Sequence, residues 1–412
     1  MLRAALARFF VPPATTADAG LLLAARGLRA FGDGFVSLLL PFYLALLGYG
    51  AFEIGVLVTA TLLGSGLMTL GVGLIAHRCS HRNLLYAAAL LMLGSGVAIV
   101  FARDFWPLCV IAFVGTLNPA SGDLSVFSPL EHTLLARAAQ PRSRTALFAR
   151  YSLVGALAGA VGAQAAGMAN AASLLLSVDL MSAIRALFVL YGALGAAVLL
   201  IYRRLSPGLD GHEKAHAPVP LGPSRGVVYR LAALFSVDAF AGGFAVQSLL
   251  ALWLFDRFAL SLVATGAVFF WSGVLGALSQ LLASKFAARY GLVNTMVYTH
   301  IPASVFLMLV PFMPTLALAL ALLFLRSFFS QMDVPARTSY VMAVVTPGER
   351  PAAASITAVP RSLASALSPS LAGYLLALSS FGWPLVICGT LKIAYDLMLL
   401  RMFSKVKPPE EC

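Results

Sequence analysis

The sequence predicts an all-α polytopic membrane protein: twelve transmembrane helices in two pseudo-symmetric six-helix bundles, with both termini cytosolic. Three observations carry this. Of 412 residues only 11% are charged and 60% are hydrophobic, and the mean hydropathy is +0.91, whereas soluble domains carry about a quarter charged residues. The apolar residues fall in runs of roughly 20, enough to cross a hydrocarbon core about 30 Å thick. Lysine and arginine gather in alternate loops between these runs. Backbone inside lipid must satisfy its hydrogen bonds within the segment, so the runs are helices.

In chain order the spans are 20–47, 53–76, 84–101, 107–130, 146–168, 182–202, 229–254, 261–284, 292–313, 315–335, 354–378 and 383–402. Between the sixth and seventh lies "RRLSPGLDGHEKAHAPVPLGPSRGVV", residues 203–228, with proline, glycine and charge. Such composition breaks helices. It is a cytosolic linker that divides the chain into an N-terminal bundle, 1–202, and a C-terminal bundle, 229–412.

Loop charge sets orientation. With the N-terminus inside, the inner segments hold Arg3, Arg8, Arg78, Arg82, Arg137, Arg142, Arg144, Arg203, Arg204, Lys214, Arg225, Lys285, Arg289, Arg350, Lys405 and Lys407, while the outer loops hold little beyond Arg103 and Arg257. This asymmetry accounts for most of the net charge of +12, so nucleic-acid binding is not indicated. The cysteines, Cys79, Cys109, Cys388 and Cys412, show no CxxC spacing, which argues against a disulfide framework or zinc ribbon. The short basic N-terminus precedes an apolar run that contains charges and lacks a small-residue cleavage site, so a removed signal peptide is not expected.

The halves repeat one another. Gly55 to Arg78 and Gly266 to Arg289 each span 23 positions, and Gly55 to Asn83 and Gly266 to Asn294 each span 28. Pro129 to Pro141 and Pro335 to Pro347 each span 12, and a basic residue, Arg144 or Arg350, follows three places on. Internal repeats of this kind mark secondary transporters, which place substrate near the midplane between repeats.

The stretch "GLIAHRCSHRNLL", residues 73–85, sets His77, Arg78, Cys79, His81 and Arg82 side by side. Histidine and cysteine suit zinc, but the stretch falls at an inner turn between two spans, and a metal site is not the expected role. Here the chain resembles the major facilitator superfamily along nearly its whole length. That family's signature between its second and third helices is roughly G-x-x-x-D-R-x-G-R-R. Gly73, Arg78 and Arg82 match it; His77, Ser80 and His81 stand where the family has Asp, Gly and Arg. The second copy, "FAARYGLVN", keeps Arg289 and Gly291 but has Ala288 at the acidic position. The resemblance implies that this loop clamps against neighbouring helix ends. Arg361, read near the start of the eleventh span, is the family's partner for the missing acid, and Glu131 is the expected partner of Arg78 or Arg82.

Ionisable groups inside spans cost roughly 2.5–3.5 kcal/mol each on insertion scales and mark pathways or relays. Arg26, Arg29 and Asp33 recur at i, i+3 and i+7 on one helix face. Asp33 is the expected carrier of the coupling proton, the alternative being a static pair with Arg29. The family resemblance implies that the first, fourth, seventh and tenth helices line the cavity. Asp238, with Gln247 and Ser248 about three turns on, is a second site. Arg326 is expected either to hold an anionic substrate or to pair with Asp333. Asp333 and Arg337, one turn apart, are expected to pair and form the inner gate with Arg78, Arg82, Glu131 and Arg361. By the repeat Arg337 stands at the position of Glu131, with opposite charge. Lys392 and Asp396, spaced i, i+4, read as a structural pair, and His300 as a hydrogen-bonded packing residue. Gly155, Gly159, Gly71, Gly73, Gly273 and Gly276 read as close-packing sites.

The expected function is secondary active transport of a small molecule by alternating access, proton-coupled and in the exporting direction; a uniporter or symporter for a small metabolite is the alternative. No HExxH, G-x-S-x-G or Walker pattern occurs, so neither an enzyme nor an ATP-driven pump is indicated, and no cofactor is expected. A transporter-like sensor would carry longer extramembrane segments. The expected partners are substrate, protons and the bilayer, and the expected working unit is the monomer. Arginine-rich, compact loops suggest a bacterial inner membrane.

Overall fold

The structure, a computed structural model, describes residues 15–75, 79–120, 125–210, 221–346 and 349–404. Among them helices dominate and the β-structure is a single bridge between Thr15 and Ala139. Ten helical stretches are long and apolar enough to cross a membrane.

Helices α1 (Ala17–Leu46), α2 (Ala51–Ile75) and α3 (His81–Phe101) follow the first three predicted spans. The fourth, read as one helix over 107–130, is two: α4 (Phe105–Val114) and α5 (Phe127–Arg137). Gly115 ends the first, and Pro119, which disfavours helix at the residue before it, prevents immediate restart. Asn118 accepts a hydrogen bond from the Ala120 amide at 3.0 Å, a local turn that competes with helix. Helices α6 (Pro141–Ala165), α7 (Met168–Leu176) and α8 (Leu180–Arg203) follow. Pro141 sits at the start of α6, where its missing amide costs nothing.

The next helix, α9 (Arg225–Gly243), begins four residues before the expected span, so the polar linker is shorter than its composition suggests. It stops at Gly242 and Gly243, and α10 (Gln247–Phe258) resumes after three residues. The order then runs α11 (Leu262–Tyr290), α12 (Leu292–Leu309), α13 (Leu316–Phe329), α14 (Asp333–Ala343), α15 (Arg350–Leu378) and α16 (Trp383–Phe403). The predicted tenth span is thus also broken, between Phe329 and Asp333, with Pro335 in the first turn of α14, where proline is tolerated.

The chain forms two compact units, one of residues 1–47, 60–214 and 262–270, the other of 48–59, 215–261 and 271–412. In the first, α1 packs on α6 and α8, and α3 on α8; in the second, α9 packs on α15 and α16, and α12 on α16. The same pairing order recurs in each. These pairs bring backbone against backbone. A Cβ on Gly34 would lie 2.2 Å from the Gly159 carbonyl oxygen, and one on Gly96 2.5 Å from the Gly192 nitrogen. In the second unit a Cβ on Gly243 would lie 2.5 Å from the Ser365 carbonyl, and one on Gly389 2.6 Å from that of Ser304. Real side chains almost never approach so closely, so glycine is required. Gly71 and Gly73, expected to pack in the same way, have open space where a Cβ would stand.

The apolar core of the second unit gathers Val228, Leu231 and Phe235 of α9, Val297 of α12, Tyr340 of α14 and Leu399 of α16. Burying one such large side chain contributes about 1.5–3 kcal/mol relative to exposure in water. The charged residues lie inside this packing.

Candidate functional site

In the first unit the charges converge on Glu131, which α5 carries into the packed interior at 0% exposure. Arg29 of α1, itself 1% exposed, forms an ion pair with it through Nη2. The Tyr151 hydroxyl of α6 donates to the same carboxylate oxygen, and the Tyr202 hydroxyl of α8 donates to the other at 2.5 Å. Arg29 also donates to Ser125 Oγ at 3.3 Å and lies 4.2 Å from the centre of the Phe127 ring. A buried carboxylate is stable only when paired and hydrogen-bonded; three helices, α1, α6 and α8, supply those partners here.

Expectation and structure differ over which groups meet. Arg29 turns to Glu131, whereas Asp33, half-buried one turn further on, accepts from the Tyr191 hydroxyl at 3.4 Å. Tyr191 in turn donates to the Thr116 carbonyl at 2.8 Å, beside the α4 break. Glu131, expected to meet Arg78 or Arg82 at an inner gate, is enclosed within the unit. Arg82 donates to the Tyr86 hydroxyl at 2.9 Å, and Tyr86 to the Tyr202 carbonyl at 3.4 Å. Arg78 lies outside the described residues. Arg26 lies over the Tyr151 ring at 5.2 Å and occupies the space left by Gly155, where a Cβ would stand 2.5 Å from its Nε.

In the second unit an ionic chain joins four helices. Asp333 and Arg337 of α14 pair at 2.5 Å, the one contact in the chain that i, i+4 spacing predicts. Arg337 reaches on to Asp238 of α9 at 3.0 Å, with its guanidinium 5.5 Å from the Phe235 ring centre. Lys392 of α16 donates to the other Asp238 oxygen at 2.6 Å. Its Nζ is also 3.4 Å from Nε2 of His300 on α12, whose Nδ1 lies 3.0 Å from Asp396. The expected pairing of Lys392 with Asp396 is therefore corrected. The lysine stem reaches across to α9, and Asp396, fully buried, is bound by His300 instead.

Arg361 was expected near a helix start, but α15 begins at Arg350, and Arg361 lies about three turns inside it. It faces the ionic chain, within electrostatic range of Arg337, Asp238 and Asp333. Arg326 is half-buried on α13 and has no ion pair or side-chain hydrogen bond among the described residues. Asp333, its alternative partner, is taken by Arg337. Gln247 is half-buried at the start of α10, beyond the break that follows Asp238's helix, and the hydroxyl of fully buried Ser248 has no partner among the described residues.

Outside the spans, Glu349 gathers three donors: the Gly222 amide, Ser224 Oγ at 2.6 Å and Thr346 Oγ1 at 2.7 Å. These bonds hold its carboxyl below the ordinary glutamate range, the Ser224 hydroxyl being the largest cause. The other end of the linker is tied by Asp18, which accepts from the Ser206 amide at 2.9 Å, and by Arg137, which donates to the Leu209 carbonyl at 3.2 Å. Sequence reading missed the tyrosines. Tyr151, Tyr191 and Tyr202 look like apolar filler in their own helices, and only the packing of α6 and α8 shows that their hydroxyls serve Glu131 and Asp33.

Comparison with known proteins agrees with this architecture. The chain is 25% identical over 426 residues to the uncharacterized membrane protein YJR124C of Saccharomyces cerevisiae, covering 94% of each chain. It superposes on the nucleoside transporter NupG with a TM-score of 0.72 at 13% identity, covering 94% of this chain and 99% of that one. A bacterial homologue of the human lysosomal transporter Spinster, inward-facing and occupied, gives 0.72 at 16% identity, covering 94% and 97%. The human organic anion transporter MFSD10 gives 0.65 at 17% identity, covering 94% and 100%. These likenesses show the fold. The sequence profile of the Major Facilitator Superfamily matches residues 22–323 and 233–411. The chain is thus a multi-pass integral membrane protein and belongs to the Major Facilitator Superfamily.

Proposed function

We propose that this protein is a proton-coupled secondary transporter of a small organic solute. It works by alternating access, with twelve spans, both termini cytosolic and two six-helix halves joined by the 203–228 linker. The observation that supports this most is the ionic chain from Asp333 to Asp396. Six ionisable side chains lie in contact within apolar helices, a placement whose insertion cost is retained for pathways and relays. Asp33 is the carboxylate we assign to the coupling proton. It accepts from Tyr191, whose hydroxyl also bonds the Thr116 carbonyl beside the break after α4. Arg326 is the cation we assign to substrate, and an organic anion is the class it would hold; the printed name of one structural relative, an organic anion transporter, agrees with that class. Arg78 and Arg82 are the basic side chains of the proposed inner gating turn.

The test is transport in proteoliposomes under an imposed pH gradient, with a radiolabelled panel of carboxylates, organic phosphates and nucleosides. A panel compound that accumulates against its gradient, and stops when a protonophore collapses the pH difference, supports the reading. The orientation of the gradient that drives accumulation gives the direction of coupling. Counterflow that is indifferent to every pH gradient overturns proton coupling and leaves a uniporter.

A further inference from the structure

Hydrogen-bonding roles around His300 can be assigned from chemistry. Asp396, fully buried, offers only acceptor oxygens when ionised, and both lie 3.0–3.1 Å from His300 Nδ1. Nδ1 therefore carries a hydrogen, and neutral imidazole then leaves Nε2 as a bare acceptor. Lys392 Nζ, which can only donate, faces that nitrogen at 3.4 Å. A hydrogen on Nε2 would set donor against donor at this distance. The observed contact is thus the one a neutral His300 makes.

We propose that His300 is a proton-binding site in the second unit, and that its occupancy exchanges the partner of Asp238 from Lys392 to His300. One proton adds to Nε2, and the Lys392 contact becomes a repulsion between two cations. The acceptor nearest the new N–H is Asp238 Oδ1, 3.8 Å away and held by Lys392 at 2.6 Å. The imidazolium takes that oxygen, and Lys392 leaves it. Asp238 keeps its other oxygen on Arg337. The link between α9 and α14 persists, while α9 exchanges a tie to α16 for one to α12. Lys392 is the most exposed member of the chain, its side chain 14% accessible, so it is the group with somewhere to go.

All the charged surroundings bear on this exchange. From α16 come Lys392, Asp396 and the Tyr395 ring, edge-on to His300 at 6.1 Å. Asp238 comes from α9, Asp333 and Arg337 from α14, and Arg361 faces the cluster from α15 without bonding to it. Arg326 of α13 faces Cys388, one turn before Lys392. The bonded chain holds three carboxylates against two permanent cations, with Arg361 a third cation facing it unbonded.

The test needs no substrate, because the probe is the proton. The sequence holds six histidines and five lysines, few enough to label with 15N and follow by solid-state NMR in phosphatidylcholine vesicles. As the vesicles are acidified, the His300 Nε2 signal should change from bare to protonated. It is assigned by its absence in His300→Gln. The Lys392 Nζ signal should move with the same midpoint, and in His300→Gln it should stay fixed. Asp396→Leu keeps the imidazole but removes every acceptor that fixes Nδ1–H, and should uncouple the two signals should His300→Gln not fold. An Nε2 that stays bare throughout, or a Lys392 signal that titrates unchanged in the folded variants, overturns the site. Transport indifferent to pH gradients alongside an intact NMR exchange would overturn the proposed coupling and leave this site standing.

Discussion

Glu131 and Arg337 each lie two residues after a proline, Pro129 and Pro335, and each pairs back to a helix earlier in its own unit, with the charges reversed. Glu131 meets Arg29 of α1, and Arg337 meets Asp238 of α9. The repeat preserves the contact and inverts its polarity. A buried pair broken on one side leaves an uncompensated charge, at a cost of about 3–5 kcal/mol. Glu131→Gln should therefore lower thermal stability in detergent sharply, and the double variant Arg29→Met, Glu131→Leu should recover most of it. Equal melting temperatures for Glu131→Gln and the parent would show that the pair contributes nothing.

Asp33→Asn keeps shape and hydrogen-bonding capacity but removes titration. Because Arg29 is held by Glu131, the variant should fold with nearly unchanged stability. Uphill, pH-driven transport should be lost while substrate-for-substrate exchange survives. Tyr191→Phe, which removes the hydroxyl's bonds to both the Thr116 carbonyl and Asp33, should cost about 1–3 kcal/mol and retain coupling. Uphill transport by Asp33→Asn at the parental rate would remove Asp33 from the coupling role.

Arg326→Gln separates substrate binding from scaffold. With no ion pair among the described residues to break, its thermal stability should match the parent. A lost charge-assisted contact is worth about 1.5–3 kcal/mol, so KM for an anionic panel compound should rise roughly ten- to a hundredfold with little change in kcat. An unchanged KM, or a collapse in stability, would assign Arg326 a structural role.

Glu349 gives a pH signature. Its folded-state carboxyl is held below the ordinary value of 4.5 by Ser224, Thr346 and the Gly222 amide. A depressed carboxyl stabilises fully above its unfolded pKa and loses that stabilisation as pH falls through the folded one. The melting-temperature gap between the parent and Glu349→Gln should stay constant from pH 8 to about 5.5 and narrow once the pH passes below about 4.5. A gap that widens in acid would contradict the sign.

What the sequence disclosed followed the range of the interaction. Helix existence was legible because a run of apolar residues reports on lipid directly, and Asp333–Arg337 was legible because one turn fixes that distance. Lys392 and Asp396 have the same spacing, yet each side chain reaches a different helix. Local geometry permits an i, i+4 pair without requiring it when better partners approach from outside. Arg29 with Glu131, and Asp238 with Lys392, join residues far apart in the chain, and no periodicity encodes them. The breaks after α4, α9 and α13 were signalled by Pro119, Gly242–Gly243 and Pro335, but the apolar residues around them hid the signal.

The glycine contacts between helices have a mechanical consequence. Where Gly34 meets the Gly159 carbonyl, or Gly243 that of Ser365, no layer of side chains lies between the backbones to be squeezed or repacked. Helices joined in this way behave as a solid strut, and one added methyl group is answered only by displacing the whole helix. Bending is left to the interrupted helices, α4 with α5, α9 with α10 and α13 with α14, where the hydrogen-bond ladder is already open. Gly243 belongs to both, a strut contact at the end of α9 and the edge of the joint with α10, so strain imposed at an ionic contact such as Asp238–Lys392 meets a joint little more than one turn further along α9.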